Sequence, residues 1–599
     1  MGVRAVVFAW ILASAHVAMA QSGLADAAMR HDNAAVRSLI DGGADVNAPQ
    51  ADGATALHWA AHYGDSDLAR LLLEAGADAS VANRNGATPL WLAASQGDAT
   101  MVEILLDGGA SANEELPLGR KPLMLAARSG SVEAVQVLLD RGAEPNAKET
   151  QRGTTALMQA ADQGHADVIA LLVQQHGADV AAASAPVLRD GRTAALGKSD
   201  DPRGAVRRQV IAILCDQESP DLSRLRELIA ESSEDAVLAE AGASEQASDP
   251  CNLERDNLGF VIEGGGRRNR EPRPPDGGEI TPLVYAARAN SIDAARTLLE
   301  AGADVNQVTR YGWSPLLAAT QNRNYQMAKF LIEQGADVNI ANKGGWTPLY
   351  LATDNRNIEG GDYPTRAPDM DHLEFIKLLL EAGADPNARL TESTETRTVF
   401  TNQWLDEDGA TAFLRASQSG DVELMRLLLE HGADPKIYTK LGVTPLAVAA
   451  GIGWVEGITS EWSTERTVEA VKMLLDLGID PNHQADTGRV ALHGAAHKGA
   501  TEVVRVLVAA GARMDIRDFG NTDNRGSPEL AAHTWLPIDY ADGLVRVGVQ
   551  SAIPHPETAK VLRELMAEAG VEAPPEGRTL ESICIVEVCS PDYEPIEYN

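Results

Sequence analysis

Apolar residues along most of the chain fall into two alternating patterns. The first is short: a Leu with two Ala three and four residues on, as in Leu90, Ala93 and Ala94. The second is longer, with Met101, Val102, Ile104, Leu105 and Leu106 at i, i+3 and i+4 spacing. Both spacings predict helices. A polar turn, Gln96-Gly97-Asp98, separates them. Thr88-Pro89 precedes the first helix: Thr caps orphan N–H groups, and Pro at the first helical position sacrifices no bond. Gly109 follows the second helix and suits a left-handed terminating residue. The Asp/Asn/Gly-rich stretch beyond suits a tight hairpin. The first helix therefore offers a face of small residues, which lets neighbouring helices approach closely.

This helical pair recurs. The phrase L-L-E-A-G-A-D occupies 72–78, 298–304 and 379–385, with L-L-E-H-G-A-D at 428–434. Its glycine falls at 43, 76, 109, 142, 177, 302, 335, 383, 432, 478, 511 and, degenerately, 570. Five of these intervals are 33 residues. A second phrase, G-x-T-P-L, stands at 86–90, 345–349 and 442–446. One such unit cannot bury both of its helices, whereas stacked neighbours can, giving a continuous core and nearest-neighbour energetics. The 33-residue period and the T-P-L-x-x-A…L-L-x-x-G-A-D-x-N pattern resemble the ankyrin repeat. The resemblance implies an all-α repeat solenoid of about twelve helix–turn–helix units joined by hairpins, with insertions. It also implies that partners are gripped on a concave surface of hairpin tips and inner helices. The first unit (24–53) and the last (527–573) depart from the pattern, as end caps do.

Departures from the period locate the individual features. The interval 177→302 carries 92 extra residues, placing an insert at 185–276. Its middle reads as helical, through Val206, Val210, Ile211, Ile213 and Leu214, then Leu222, Leu225, Leu228 and Ile229. Its end, 264–275, reads as a basic Gly/Pro linker. Degenerate repeats are the favoured reading of the helical part, with a separate helical module as the alternative. Later intervals carry 15 extra residues near 355–371, 16 near 389–408, 13 near 451–467, and 26 near 515–527 and 534–556. Loops this long inside a compact repeat are usually functional or disordered. Three of the insertions fall between the helices of units 8, 10 and 12, an alternate-unit spacing that would set them along one edge. The organisation is thus a leader (1–20), a first array (21–184), the insert (185–276), a second array (277–573) and an acidic tail (574–599).

Charge and the N-terminus narrow the setting. With 51 basic and 86 acidic residues the formal charge is −35. Phosphate affinity is built from Lys and Arg, so nucleic acid and anionic membrane are disfavoured, and a protein or peptide partner with basic patches is expected. At 44% hydrophobic the chain is too apolar to be disordered. Arg4, the apolar run Ala5 to Ala13 and Ala18-Met19-Ala20 form the three parts of a secretory signal peptide. Cleavage after Ala20 and a periplasmic or secreted location are expected. The apolar run is shorter than the ~20 residues of a spanning helix, and no later stretch is long and apolar enough, so no membrane insertion is expected.

Candidate chemistry is sparse. No nucleophile elbow, phosphate loop or dinucleotide fingerprint is present, so no catalytic or cofactor-binding set is assigned and no cofactor is expected. His58/His62 and His493/His497 have the i,i+4 spacing of metal ligands, but the acid of H-E-x-x-H is missing. By the resemblance, the first His of each pair bonds the neighbouring hairpin and the second lies at a variable surface position; no metal is assigned. Cys215, Cys251, Cys584 and Cys589 allow three disulfide connectivities. Cys215–Cys251 and Cys584–Cys589 are favoured, with free thiols as the alternative. Aromatic residues say more. Trp404, Trp454, Trp462 and Trp535 lie in or beside insertions. Trp313 and Trp346 occupy equivalent hairpin positions one repeat apart, flanked by Tyr311, Arg310 and Lys343. The resemblance would stack them on the concave surface as a partner-binding ladder, with His62 and Tyr63 as secondary candidates; Trp, Tyr and Arg dominate binding hot spots. The function expected is an exported, non-enzymatic scaffold that binds protein. The alternatives are an enzyme or enzyme accessory using 185–276, and a structural envelope organiser.

Overall fold

The structure, a computed structural model, describes residues 23–186, 277–357, 366–391, 405–455, 462–520, 533–547 and 553–579. The leader, nearly all of the insert, Trp404 and all four cysteines lie outside the described residues.

Among the described residues twelve helical pairs stack in chain order. The inner and outer helices of units 1 to 5 are Gly23–Met29 and Asn33–Asp41, Ala56–Tyr63 and Ser66–Glu74, Pro89–Gln96 and Ala99–Asp107, Pro122–Ser129 and Val132–Asp140, and Ala156–Gln163 and Ala166–His176. Units 6 to 9 follow as Pro282–Ala289 and Ile292–Glu300, Pro315–Gln321 and Tyr325–Glu333, Pro348–Arg356 and His372–Glu381, and Ala412–Gln418 and Val422–Glu430. Units 10 to 12 are Pro445–Ala450 and Thr464–Asp476, Ala491–Lys498 and Thr501–Ala509, and Pro537–Ala541 and Pro556–Glu568. No strand is found among the described residues.

The local causes are those of the sequence pattern. Thr88, Thr281, Ser314, Thr347, Thr411 and Thr444 each cap an inner helix through the side-chain oxygen. Every one of the twelve repeat glycines has a positive φ, from 63° to 100°, where a Cβ would be strained. One continuous core runs from Leu24 to Met566 between the inner and outer layers. Neighbouring inner helices, faced by Ala60/Ala61, Ala93/Ala94 and their equivalents, approach more closely than neighbouring outer helices. The stack therefore curves with its inner helices on the concave side.

Two ladders tie unit to unit outside the core. At the hairpin tips, backbone N–H groups reach the preceding hairpin, as in Arg84 N to Asp52 O (2.8 Å) and Lys343 N to Tyr311 O (2.9 Å). At the hairpin base, an Asn four residues after the repeat glycine bridges forward. Asn339 donates to Gly383 O (3.0 Å) and accepts from Asp385 N (2.8 Å). Asn47, Asn113, Asn146, Asn306, Asn387 and Asn482 make the same forward reach. Ser80, Ala181, Lys436 and Asp515 stand at that position in the other units.

The helices on either side of the insert pack on each other. Inner helix Ala156–Gln163 packs directly on Pro282–Ala289, and the outer helices of units 5 and 6 also meet. Arg288 pairs with Asp162 at 2.8 Å across this junction. Units 5 and 6 thus pack directly on one another, and the chain leaves and returns at their hairpin. The two readings of the insert, degenerate repeats or a separate helical module, fall on residues outside the described ones.

Candidate partner-binding surface

The inner face divides into an open half and a filled half. The residue seven positions after each inner-helix N-cap faces the concave side. In units 2, 3, 4 and 6 this residue is exposed: His62, Ser95, Arg128 and Arg288. Asp162 in unit 5 is half-buried. In units 8 to 11 the equivalents Asp354, Gln418, Gly451 and His497 are all buried.

A second apolar cluster fills the later half. It contains Leu317, Trp346, Tyr350, Leu390, Leu405, Leu414, Val443, Val448 and Ile452, with Trp313 packed against it. Leu390 and Leu405, near the two ends of the 389–408 insertion, pack over the inner helices. A Cβ on Gly345 would lie 2.7 Å from Thr391 N, and one on Gly453 would lie 2.7 Å from Leu405 Cβ. Further along, Gly451 and Gly494 let two inner helices nearly touch: a Cβ on Gly451 would lie 2.6 Å from Gly494 O.

Insertions two units apart also meet. Trp462 Nε1 donates to Asn357 Oδ1 at 2.9 Å, and its ring lies under Arg356 at 4.5 Å. Arg356 in turn holds Asp421 (2.7 Å) and Glu423 (3.2 Å). Below them Arg415, fully buried, donates to Asp354 (2.8 Å), to Ser419 Oγ (3.0 Å) and to the Asn357 carbonyl. A comparable buried set stands at units 11 and 12. There Tyr540 donates to Asp518 (2.5 Å) and accepts from Arg489 (3.0 Å), and burial holds the phenol well above its ordinary range. These charges are spent on one another and on backbone carbonyls.

The sequence-derived candidates fare unequally. Trp346 is fully buried, T-shaped against Tyr350 at 4.9 Å, so its placement on an exposed ladder is corrected. Trp313 is half-buried against the same cluster. Tyr311 is half-buried, Arg310 pairs with Glu279 at 3.1 Å, and Lys343 is exposed. Of the other tryptophans, Trp535 is fully buried, Trp454 is half-buried against His497, and Trp462 is exposed but held as described.

His58 and His493 act as the resemblance implied. His58 Nε2 reaches Ala87 O at 3.0 Å and His493 Nε2 reaches Trp535 O at 3.1 Å, each in the next hairpin. His62 is exposed. His497 is not: it is buried between Trp454 and Tyr540, a second correction. Among the described residues no group of acids, His or Cys is arranged to hold a metal.

His62 and Tyr63 do come together on the open half. With exposed His31 and half-buried Trp59 they form an aromatic patch across units 1 and 2. His31 and Trp59 were missed; their signal was the spacing of one turn between Trp59 and Tyr63 and the turn position of His31. Leu118, half exposed at a hairpin tip with φ 68°, extends the open surface to unit 4.

Models of ankyrin repeats match the chain in several stretches. A three-copy model matches 24–115, 92–184 and 283–390, a many-copy model 465–518 and a single-repeat model 408–440. No curated relative matches. No helix among the described residues is long and apolar enough to cross a membrane. Together the matched stretches span more than half of the 599 residues, and the chain belongs to the ankyrin-repeat family.

Proposed function

We propose that the protein is an exported, non-enzymatic scaffold that holds a partner protein on the open inner face of units 1 to 6. Ankyrin repeats generally mediate protein–protein interaction, and the contrast between the two halves of the inner face carries the narrower reading. In the later half Leu390, Leu405 and Trp346 pack over the inner helices and cover them. The earlier half keeps aromatic and polar side chains in solvent. With a formal charge of −35, association should favour a partner with basic patches and slow as salt rises. Export rests on the leader-like first twenty residues.

Cross-linking of the native complex, read by peptide mapping, tests the binding face. Cross-links should concentrate at the inner helices and hairpin tips of units 2 to 6. Cross-links confined to outer helices, or to units 7 to 12, would discard the assignment. N-terminal sequencing of the mature protein tests export: a first residue of Gln21 is expected, and an intact leader on a protein retained in the cytoplasm refutes it.

A further inference from the structure

We infer that units 1 to 3 receive a cationic segment of the partner, an extended stretch bearing Arg or Lys, seated on the aromatic patch of His31, Trp59, His62 and Tyr63. This rests on the scaffold reading above and narrows it to one site and one chemistry.

The patch is exposed and pre-organised. Tyr63 and Met29 are each 38% exposed. The ring of Tyr63 lies 3.7 Å from that of His31 and 5.8 Å from that of Trp59, stacked on the latter at 26°. His62 adds a fourth ring 4.9 Å from Tyr63. Hydrogen bonds hold the arrangement: Trp59 Nε1 donates to Gln50 Oε1 (2.8 Å), Tyr63 Oη to Met29 O (3.1 Å) and Gln96 Nε2 to His62 O (3.0 Å). Rings fixed before binding lose little freedom when a partner arrives.

Charge selects what such a surface takes. Asp32, Asp65 and Asp98 cap the outer helices of units 1, 2 and 3, so one carboxylate per unit lines the turn edge beside these rings. Each accepts a backbone N–H, and Asp65 also accepts from Asn33. Among the described residues none of the three is ion-paired. Over residues 23–109 there are four arginines, no lysine and twelve carboxylates. Guanidinium and ammonium groups are attracted both to aromatic faces and to this edge. A carboxylate-rich segment would be repelled by it. Neighbouring helices pack about 8–10 Å apart. Three units therefore present their acids over roughly 20 Å, which an extended segment of about six residues spans at ~3.3 Å per residue.

The test uses the mature full-length chain and two labelled octapeptides, alternating Arg-Gly and alternating Glu-Gly, followed by fluorescence anisotropy at physiological salt. The Arg peptide should bind and the Glu peptide should not. The double variant His62→Ala/Tyr63→Ala should bind the Arg peptide at least tenfold more weakly, with unchanged helical circular dichroism. Tyr63→Phe, which keeps the ring and loses the bond to Met29, should stay within threefold of the parent. Equal binding by parent and double variant would mean diffuse attraction to a polyanion and would overturn the inference, as would binding of the Glu peptide or no binding of the Arg peptide. If the native partner cross-links to units 2 to 6 while the Arg peptide fails, the scaffold reading stands and the cationic segment falls. If the peptide behaves as expected while the partner cross-links elsewhere, the patch takes cations but not from this partner, and both the scaffold reading and the inference fall.

Discussion

Ser184 and Ile280, 96 residues apart in sequence, are hydrogen-bonded to each other twice. Ser184 N–H donates to Ile280 O at 3.1 Å, and Ile280 N–H donates to Ser184 Oγ at 2.9 Å. This pair closes the hairpin from which the insert leaves and to which it returns. Joining Pro186 to Gly277 through a short Gly/Ser link should therefore leave the stack intact. Loop-closure entropy changes only slowly with length, so the shortened loop is expected to hold or slightly raise stability. Thermal melting by circular dichroism checks this: a single transition within a few degrees of the parent is expected, and loss of cooperativity would show that the insert is part of the stack.

Trp346 is a core residue by position, and its removal should read as a stability defect. Trp346→Ala is expected to cost about 3–5 kcal/mol in urea unfolding, as deletion of a fully buried aromatic does. Binding at units 1 to 6 should persist at temperatures where the variant is folded. A variant of parental stability that no longer binds would restore Trp346 to the partner surface.

Arg415 and Gln418, one helical turn apart and both buried, should respond in opposite directions. Arg415→Met removes a buried cation that donates to Asp354, Ser419 and the Asn357 carbonyl, and is expected to destabilise by about 3–5 kcal/mol. Among the described residues the Gln418 amide has no hydrogen-bond partner on either atom, although the residue is only 4% exposed. Gln418→Met removes an unsatisfied buried group at similar volume and is expected to stabilise by about 1 kcal/mol. Paired denaturation curves decide both; a Gln418→Met variant weaker than the parent would indicate a partner for the amide.

Acid should loosen the C-terminal units through His493. Its Nδ1 accepts from Val490 N–H at 3.0 Å and its Nε2 reaches a carbonyl, so the ring is neutral, and burial pushes it down to about 4. His58, bonded in the same way, is also lowered by burial. Between pH 6.5 and about 4 the unfolded chain holds a proton on His493 that the folded chain does not. Stability therefore falls as pH drops through this window, by about 2 kcal/mol from His493 alone between pH 7 and 5. Urea midpoints at the two pH values measure it, and His493→Gln should flatten the dependence. An unchanged slope in that variant would assign the acid sensitivity elsewhere.

The repeat was legible because its signals are local. The glycine that ends each outer helix, the Thr-Pro that opens four of the inner helices and the Ala pairs that let neighbours close up are all fixed by backbone sterics and helix capping. The forward-reaching Asn was visible too, as the last letter of G-A-D-x-N, though its bonds to the next unit were not. What escaped depends on chain segments meeting far from their place in sequence. Trp346 has the same hairpin position as Trp313, and only the return of Leu390 and Leu405 buries it. His497 shares its spacing with His62, and the neighbouring Trp454 and Tyr540 decide that one is covered and the other bare. The pairing of Ser184 with Ile280 across 96 residues was likewise invisible, because no local pattern ties the two ends of the insert together.

The four positions where Ser80, Ala181, Lys436 and Asp515 replace the bridging asparagine fall after units 2, 5, 9 and 11. Adjacent units there are sewn by one fewer pair of stitches than elsewhere. A chain tugged from one end, whether by a translocating machine or a protease, would part at these seams first. It would yield blocks of one to four units that stay folded while the next seam is loaded, so that the protein tears by the paragraph and not by the word.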